Sequence, residues 1–243
     1  MLNKSEIKDI ASLAFKKQRD DTGLFVAEGP KIVSEFLYTI PHQIEKIYAT
    51  QDWVAKNEMF LNNISLSIIS PIELEKISQL KTPNQVVAVL KKIVPVEPFI
   101  SNEVALYLDT IQDPGNFGAI VRIADWFGLK NIVGSEGCAD IYNAKVIQSS
   151  MASIARVNVW YDINEEWLAK QDVSILAATL HGKSVYDQQK INNGVLIIGN
   201  ESRGVRSEFL QLATTEITIP KVGAAESLNA AVATGILLSH LMH

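Results

Sequence analysis

Cysteine is nearly absent from the sequence, and this scarcity excludes two classes of protein. Cys138 is the only cysteine among 243 residues, so the chain can form neither an internal disulfide nor a cysteine-rich metal site. The four histidines, His42, His181, His240 and His243, lack the spacing of metal ligands. We therefore expect no metal centre, and a reducing compartment such as the cytoplasm suits the chain.

Long hydrophobic runs are also missing. No stretch reaches the roughly 18 apolar residues of a membrane helix, and the N-terminal segment MLNKSEIKDI lacks the apolar core of a signal peptide. With 47% hydrophobic and 20% charged residues, the composition is nevertheless that of an ordinary folded protein. These features predict a cytoplasmic protein that has no membrane partner.

The usual nucleotide-binding and hydrolase motifs do not occur. The glycine-rich turn that follows the first strand of the larger domain reads Gly-Asn-Phe-Gly, not Gly-x-Gly-x-x-Gly. The chain contains no phosphate loop with Gly-Lys-Ser/Thr and no nucleophile elbow. A dinucleotide enzyme or a metal enzyme is therefore disfavoured.

Positive charge is not in excess, since the formal net charge is −5. A broad nucleic-acid-binding surface is thus disfavoured, and contacts to phosphates would have to use local basic patches. The best candidate is the basic end of the first predicted helix, which carries Lys16, Lys17 and Arg19. A simple solvated helix end is the alternative interpretation of these three residues.

Two prolines mark a break in the composition. Pro95 and Pro98 stand in the segment KKIVPVEPFISNE, which favours an extended, polar connector. We therefore predict an N-terminal domain at 1–92, a linker at 93–103 and a larger domain at 104–243.

The hydrophobic pattern alternates between strands and helices on both sides of the linker. Before it, the pattern predicts strands at 25–29, 45–50, 65–70 and 85–93 and helices at 3–19, 31–39 and 71–80. After it, the pattern predicts strands at 104–111, 131–134, 155–161, 173–180, 194–199 and 216–220 and helices at 117–127, 143–153, 164–170, 206–213 and 227–241. Continuous apolar strands between helices are typical of an α/β fold with a mostly parallel sheet and helices on both faces. The N-terminal part would form a separate small α/β domain.

Three predicted strand ends carry unusual residues, and ligands bind at the carboxyl ends of strands in open parallel sheets. The first is DTIQDPGNFGAIVRIADWFG, residues 109–128, where a turn signal precedes Asn116 at the predicted N-cap of a helix. Arg122 lies within this apolar helix and needs a partner. Either it pairs with Asp125 or Glu201, or its guanidinium reaches a phosphate or a ribose.

The other two strand ends combine glycine or small residues with polar side chains. In VLIIGNESRGV, residues 195–205, four apolar residues lead directly into a polar cluster, which indicates a binding site or else an ordinary polar loop. In ITIPKVGAAESLNAAVATGILL, residues 217–238, Ser227 begins a helix of small residues and Asn229 lies in an apolar run. A buried amide demands partners, but a tightly packed core helix explains the small residues equally well.

In this order, the three segments resemble the SpoU/TrmH family of SPOUT methyltransferases. The matching residues are Asn116 and Arg122, then Gly199-Asn200-Glu201 with Gly204, then Ile219-Pro220 and Ser227-Leu228-Asn229. The phrases FVAEGPKIVSEFL and LKTPNQVVAVL are similar to the N-terminal RNA substrate-binding domain of the same family. The resemblance implies methyl transfer from S-adenosylmethionine to a ribose 2′-hydroxyl of structured RNA, with ribosomal RNA favoured over transfer RNA.

The resemblance also implies a fold and an assembly that the pattern alone does not. Family members have a C-terminal trefoil knot and are homodimers whose cofactor pocket lies beside the dimer interface. The cofactor is bent and is held largely by backbone groups. By position, those groups belong to Thr179, Gly199, Ile219 and Leu228.

The family assigns the catalytic role to the residue at Arg122. An arginine scarcely loses its proton, so it is a poor literal base. We expect Arg122 to stabilise the developing alkoxide or to anchor the neighbouring phosphate. Glu201 would orient it, Asn116 would place the ribose or phosphate, and Ser227 and Asn229 would fix the loop.

The sequence departs from the family pattern at two places. Lys221 stands where methionine is usual, and Ala230-Ala231 replaces the commoner Val-Ser. Two other functions stay open at this point. One is an inactive RNA-binding or assembly protein with the same fold, and the other is a methyltransferase that acts on a base.

Overall fold

The computed structural model describes residues 2–242 and divides into two compact units. The first unit comprises Met1–Val94 together with Tyr142–Ala155, and the second comprises Pro95–Ile141 and Arg156–His243. A single boundary at 93–103 would assign Tyr142–Ala155 to the larger domain, whereas the structure assigns this segment to the first unit. Within the first unit, the Gln148 side chain donates to the backbone oxygen of Glu28 (2.9 Å).

The first unit contains a four-stranded sheet and short helices. Its elements are α1 (Lys4–Ser12), α2 (Lys16–Thr22), β1 (Leu24–Glu28), α3 (Pro30–Thr39), β2 (Ile44–Ala49), α4 (Gln51–Asn57), β3 (Leu66–Ile68), α5 (Pro71–Ile77), β4 (Val86–Lys91) and α7 (Ala144–Ser150). The strand order is β1-β4-β2-β3, in which β4 is antiparallel to both its neighbours and β2 is parallel to β3. The pattern did not predict α4, and the single helix predicted at 3–19 is two helices.

Capping residues explain where several of these helices begin. Asn3 with Glu6 and Ser70 with Glu73 form capping boxes at α1 and α5, so each pair satisfies free backbone N–H groups. The backbone N–H of Leu2 also donates to Glu73 (2.8 Å). These hydrogen bonds hold the pKa of the Glu73 carboxyl at about 2, below its ordinary value.

The second unit is built on a six-stranded parallel sheet. Its elements are β5 (Val104–Leu108), α6 (Pro114–Trp126), β6 (Asn131–Ser135), β7 (Asn158–Asp162), β8 (Ile175–Ser184), β9 (Gly194–Ile198), α8 (Ser207–Leu210), β10 (Thr215–Thr218) and α9 (Ala230–Met242). The strand order is β10-β8-β9-β5-β6-β7, and every neighbouring pair is parallel. The prediction of a mostly parallel α/β sheet is confirmed.

The central strands are buried along their whole length, which explains their continuous apolar runs. Aromatic rings fill the core beside β5, where Tyr107 stacks on Trp167 and meets the edge of Phe209. Across residues 2–242, no helix is both long and apolar enough to cross a membrane. The same residues contain no cluster of three or more His, Cys, Asp or Glu side chains that could hold a metal ion.

Two helices predicted for the second unit are much shorter in the structure. The segment predicted as a helix at 164–170 has only a 3₁₀ turn, Leu168–Lys170, and the one predicted at 206–213 is reduced to α8. The Asp162 carboxylate accepts from the backbone N–H groups of Glu166 and Trp167, and Glu165 has a left-handed backbone with φ of 56°. A helix cannot continue through that conformation, so the segment is a capped turn.

Candidate active site

The first two motifs begin side by side because β5 and β9 are parallel neighbours in the sheet. At their carboxyl ends, the backbone N–H of Asp109 donates to the Ile198 oxygen (2.9 Å). The Asn200 side chain then donates to the Thr110 oxygen (2.8 Å). The sheet therefore places residues 109–116 next to residues 199–204.

Asn116 connects all three motifs. Its Nδ2 donates to the Glu201 carboxylate, and its Oδ1 accepts from the Nδ2 of Asn229 (2.8 Å). The Oδ1 of Asn229 accepts in turn from the backbone N–H groups of Ala231 and Val232, at 3.0 and 3.2 Å. Asn229 therefore caps α9 and links the start of that helix to the first turn of α6.

Asn116 was predicted as the N-cap of α6, but the structure places it inside the helix. The N-cap of α6 is Asp113, whose side chain accepts from the backbone N–H of Asn116 (2.8 Å), and Pro114 occupies the first turn. Proline suits the first helical position because its missing N–H would have no partner there. Asn116 lies in that first turn, so its amide is free to bind other side chains.

Arg122 forms an ion pair with neither Asp125 nor Glu201, the two partners that the sequence offered. Asp125 is bound by Arg156, whose Nη2 and Nε lie 2.8 and 2.9 Å from the Asp125 Oδ2. The Glu201 carboxylate accepts from Asn116. Arg122 is exposed, and no residue between 2 and 242 forms a hydrogen bond or an ion pair with its guanidinium. The expectation that Glu201 orients Arg122 is not met by this geometry.

The loop after β9 folds back on itself. Asn200 and Gly204 form an isolated antiparallel bridge with backbone hydrogen bonds of 3.1 and 2.8 Å. A side chain at Gly199 would collide with the backbone of Gly204 and Val205, and Gly204 has φ of +70°. Both glycines are therefore needed for the turn itself.

An ion-pair network that the sequence analysis missed holds this loop. The carboxylate of Asp109, which is fully buried, accepts from the backbone N–H (2.8 Å) and the Nε (2.7 Å) of Arg206. The other side of the guanidinium binds Glu165 at 2.6 and 3.0 Å. The hydrogen bonds to Glu165 and Asp109 raise the pKa of Arg206. The only signal in the sequence was an arginine directly after a glycine-rich turn.

The predicted cofactor residues lie within β8 (Thr179), directly after β9 and β10 (Gly199 and Ile219) and in the segment that follows β10 (Leu228). The pairing of β10 with β8 jumps from Ala177 to Lys183, so Thr179 lies in an irregular stretch that leaves the ladder. Its buried Oγ1 has no hydrogen-bond partner among the described residues, and buried polar atoms normally have one. Ile219 directly follows β10, and Leu228 is 46% exposed.

These residues fit an adenosine-containing cofactor. The unpartnered Thr179 hydroxyl offers a hydrogen bond, and the exposed Leu228 offers an apolar contact for a ring. Ser227 lies in the run 221–229, where every residue is exposed. No hydrogen bond connects Ser227 to the other predicted site residues in the described part of the chain.

The three predicted phosphate-binding residues have different environments. Lys16 and Lys17 are exposed, and Lys16 pairs with Asp20 (3.2 Å). Arg19 is only 3% exposed, and its guanidinium donates to the backbone oxygens of Leu13 and Ala14 at 2.9 Å. Arg19 therefore stabilises the end of α1. Because its guanidinium is buried, the prediction that it contacts an RNA phosphate is wrong.

The parallel sheet and the convergence of three motifs at its carboxyl edge define an α/β enzyme with one composite site. Residues 103–239 match the SpoU rRNA Methylase family, and residues 4–88 match the MRM3-like substrate binding domain. The chain belongs to the SpoU rRNA methylase family, as the resemblance implied. It is an S-adenosylmethionine-dependent RNA 2′-O-methyltransferase.

Individual relatives support this membership over the whole chain. The chain is 31% identical to the 23S rRNA (guanosine(2553)-2′-O)-methyltransferase RlmP of Bacillus subtilis, over 97% of this chain and 95% of the relative. It is similar to the structure of a TrmH-family protein from Porphyromonas gingivalis, with a TM-score of 0.87, 32% identity and coverage of 100% and 98%. An AdoMet-bound rRNA methyltransferase from Sinorhizobium meliloti gives a TM-score of 0.87 with 27% identity and coverage of 99% and 95%.

Proposed function

We propose that this enzyme methylates a ribose 2′-hydroxyl in ribosomal RNA. The observation that carries the proposal is the chain of hydrogen bonds from Glu201 through Asn116 to Asn229, which brings the three motifs into one site with Arg122 left unpaired. Similarity to the B. subtilis enzyme covers the N-terminal unit as well as the sheet of the second unit. A substrate-binding unit shared with a ribosomal RNA enzyme favours ribosomal RNA over transfer RNA.

Arg122 acts on the negative charge of the RNA, either the charge that develops on the ribose oxygen or that of the adjacent phosphate. When bound, S-adenosylmethionine would supply an electrophilic methyl group on a positively charged sulfur, and the site's task would be to position the ribose oxygen against it. Arginine side chains are poor general bases, so we assign Arg122 no role in accepting the hydroxyl proton, which is released to solvent. Being exposed and without a carboxylate partner, Arg122 can stabilise the developing alkoxide or hold the adjacent phosphate.

The polar triad positions the site. Asn116 uses its amide on Glu201 and Asn229, so these three side chains align the first turn of α6, the loop after β9 and the start of α9. Ser227 precedes the cap by two residues, and its exposed hydroxyl is available to the substrate or cofactor. Thr179 in β8, Gly199 and Ile219 directly after β9 and β10, and Leu228 before α9 would hold S-adenosylmethionine.

We also propose the trefoil knot that the resemblance implies. A side chain at Gly182 would lie 2.5 Å from the backbone of Glu216 and Ile217, so β8 and β10 approach closely where their pairing shifts register. Beyond β10, the chain returns from the edge strand to Asn116 through Asn229. A knotted end requires a chain that turns back in this way, and this return path supports the proposal.

A groove beside α9 supports the proposed homodimer. It has a volume of about 570 Å³, and its lining includes Ile123, Val232, Gly235 and Ile236. Val232 is 51% exposed, and Gly235 leaves the helix surface open for close contact. A second copy of the chain would cover these apolar side chains.

The function is tested by methyl transfer from labelled S-adenosylmethionine to unmodified ribosomal RNA, followed by mapping of 2′-O-methylated nucleotides. Arg122→Ala should abolish transfer and leave cofactor affinity, measured by calorimetry, nearly unchanged. Lys130→Ala, which also removes an exposed cation, is the matched control and should retain activity. Cofactor binding without transfer to any RNA would instead favour the inactive assembly protein, and methylation of a base would contradict the ribose assignment.

A further inference from the structure

Trp126 is exposed to an unusual degree. It ends α6, and 85% of its surface is accessible. Tryptophan is rarely this exposed, because its ring is large and apolar. An exposed aromatic ring beside a catalytic centre is commonly a contact for a ligand or partner.

Arg122 lies one helical turn before Trp126. Residues four apart project from the same face of an α-helix, and both of these side chains are exposed. The rise between them is about 6 Å along the helix axis, which is comparable to one nucleotide step of an extended RNA strand. A strand that reaches Arg122 therefore presents its next nucleotide near Trp126.

The acidic residue between Arg122 and Trp126 does not repel an RNA strand, because its charge is neutralised by a neighbouring arginine. Asp125 is the neighbouring acid on α6, and its carboxylate is held by Arg156 through the Nε and Nη2 groups. This bidentate pair compensates the negative charge. The guanidinium of Arg122 thus keeps its positive charge available for a phosphate.

We propose that Trp126 is a stacking platform for an unpaired base of the RNA substrate, adjacent to the nucleotide that Arg122 engages. The proposal rests on the proposed function, because it concerns the RNA of the same site. Proteins recognise RNA largely through unpaired bases that stack on aromatic side chains. The structure thus assigns the substrate a single-stranded or bulged segment at the methylated nucleotide.

A second copy of the chain is the competing occupant. The groove beside α9 is lined by Ile123, by Tyr186 and by residues of α9, whereas neither Trp126 nor Arg122 is among its lining residues. Because Trp126 shares its face with the unpaired Arg122, the chemistry of this face favours a polyanion with bases over an apolar protein surface.

The test measures affinity for unmodified 23S ribosomal RNA made by transcription in vitro. Trp126→Ala should weaken this affinity by about 10- to 100-fold, since one stacked base contributes roughly 1–3 kcal/mol. Trp126→Phe should retain most of the affinity because a phenyl ring also stacks. Phe99→Ala removes an aromatic ring that is 84% exposed and should have no effect.

Two further readouts separate the possible outcomes. The affinity for S-adenosylmethionine and the oligomeric state in sedimentation should be the same for Trp126→Ala and the unchanged protein. An unaltered RNA affinity, or a change of oligomeric state in Trp126→Ala, would overturn the proposal. RNA binding is measured without turnover. A failure of methyl transfer in the unchanged protein would therefore contradict the proposed function, but the effect of Trp126→Ala on RNA affinity could still be interpreted.

Discussion

Asn229 donates a hydrogen bond from its Nδ2 to the Oδ1 of Asn116 over 2.8 Å, although 113 positions separate them in the chain. The bond fixes the orientation of both amides. The Oδ1 of Asn229 must face the N–H groups of α9, so its Nδ2 must face Asn116. Asn116 then has only its own Nδ2 left for Glu201, which accepts as a carboxylate.

Substitution of Asn229 can separate its two roles. Asn229→Asp keeps the oxygen that caps α9 but loses the donor to Asn116, so we expect the midpoint of urea unfolding to change little. The rate of methyl transfer should fall about five- to tenfold, in line with about 1 kcal/mol for one hydrogen bond. The measurement is single-turnover transfer at saturating cofactor and RNA.

Asn229→Ala is the matched comparison, because it removes both roles. It should lose about 1 kcal/mol of stability in addition, as is typical for a deleted N-cap. Equal transfer rates for Asn229→Asp and the unchanged protein would show that the bond to Asn116 does not position the site.

Arg206 is predicted to be essential for the stability of the second unit. Arg206→Met leaves the fully buried carboxylate of Asp109 without its guanidinium, and breaking a buried ion pair costs about 3–5 kcal/mol. Urea unfolding should show this loss. The double variant Arg206→Met with Asp109→Asn, in which no buried charge is left unpaired, should regain much of it; a double variant as unstable as the single one would contradict the electrostatic explanation.

The sheet of the second unit was predictable because its central strands are buried on both faces, and such strands are continuous apolar runs in the sequence. The rule that ligands bind at the carboxyl ends of parallel strands also indicated that the three motifs would meet. It could not indicate which side chains pair. Glu201 is bound to Asn116 across 85 positions, and Arg206 to Asp109 across 97, and no local pattern encodes such contacts.

At Arg19, local charge predicted a surface contact, whereas the side chain is buried. An arginine that follows two lysines resembles a basic surface patch, but the burial of its guanidinium depends on the turn between α1 and α2, where two backbone oxygens need a donor. The sequence predicted one continuous helix at 3–19, so it gave no indication of this turn. At Arg122 the sequence left two interpretations open, an internal ion pair or a guanidinium that reaches a phosphate or ribose, and the exposed side chain disfavours the ion pair.

The exposed lysines of α2 are predicted to contact RNA phosphates. Lys16→Gln with Lys17→Gln should reduce the slope of log affinity against log salt concentration by about 1–2, because each phosphate contact releases close to one counterion. Lys56→Gln with Lys76→Gln removes two other exposed lysines of the first unit and should leave the slope unchanged. The prediction fails if both double variants behave alike in binding titrations from low to high salt.

Cys138 is predicted to be unreactive in the folded protein at ordinary pH. Burial raises the pKa of its thiol to about 11, and the sulfur lies 3.2 Å from the Leu108 oxygen. Only the thiolate reacts, and a free cysteine titrates near 8.5. At pH 8.5 the folded chain should therefore react with iodoacetamide about a hundredfold more slowly than the chain in urea, and its rate should keep rising as the pH approaches 11. Mass spectrometry of the alkylated fraction gives both rates, with Cys138→Ser as the blank. Equal rates in the folded and unfolded chains would mean that the thiol is not protected by the residues around it.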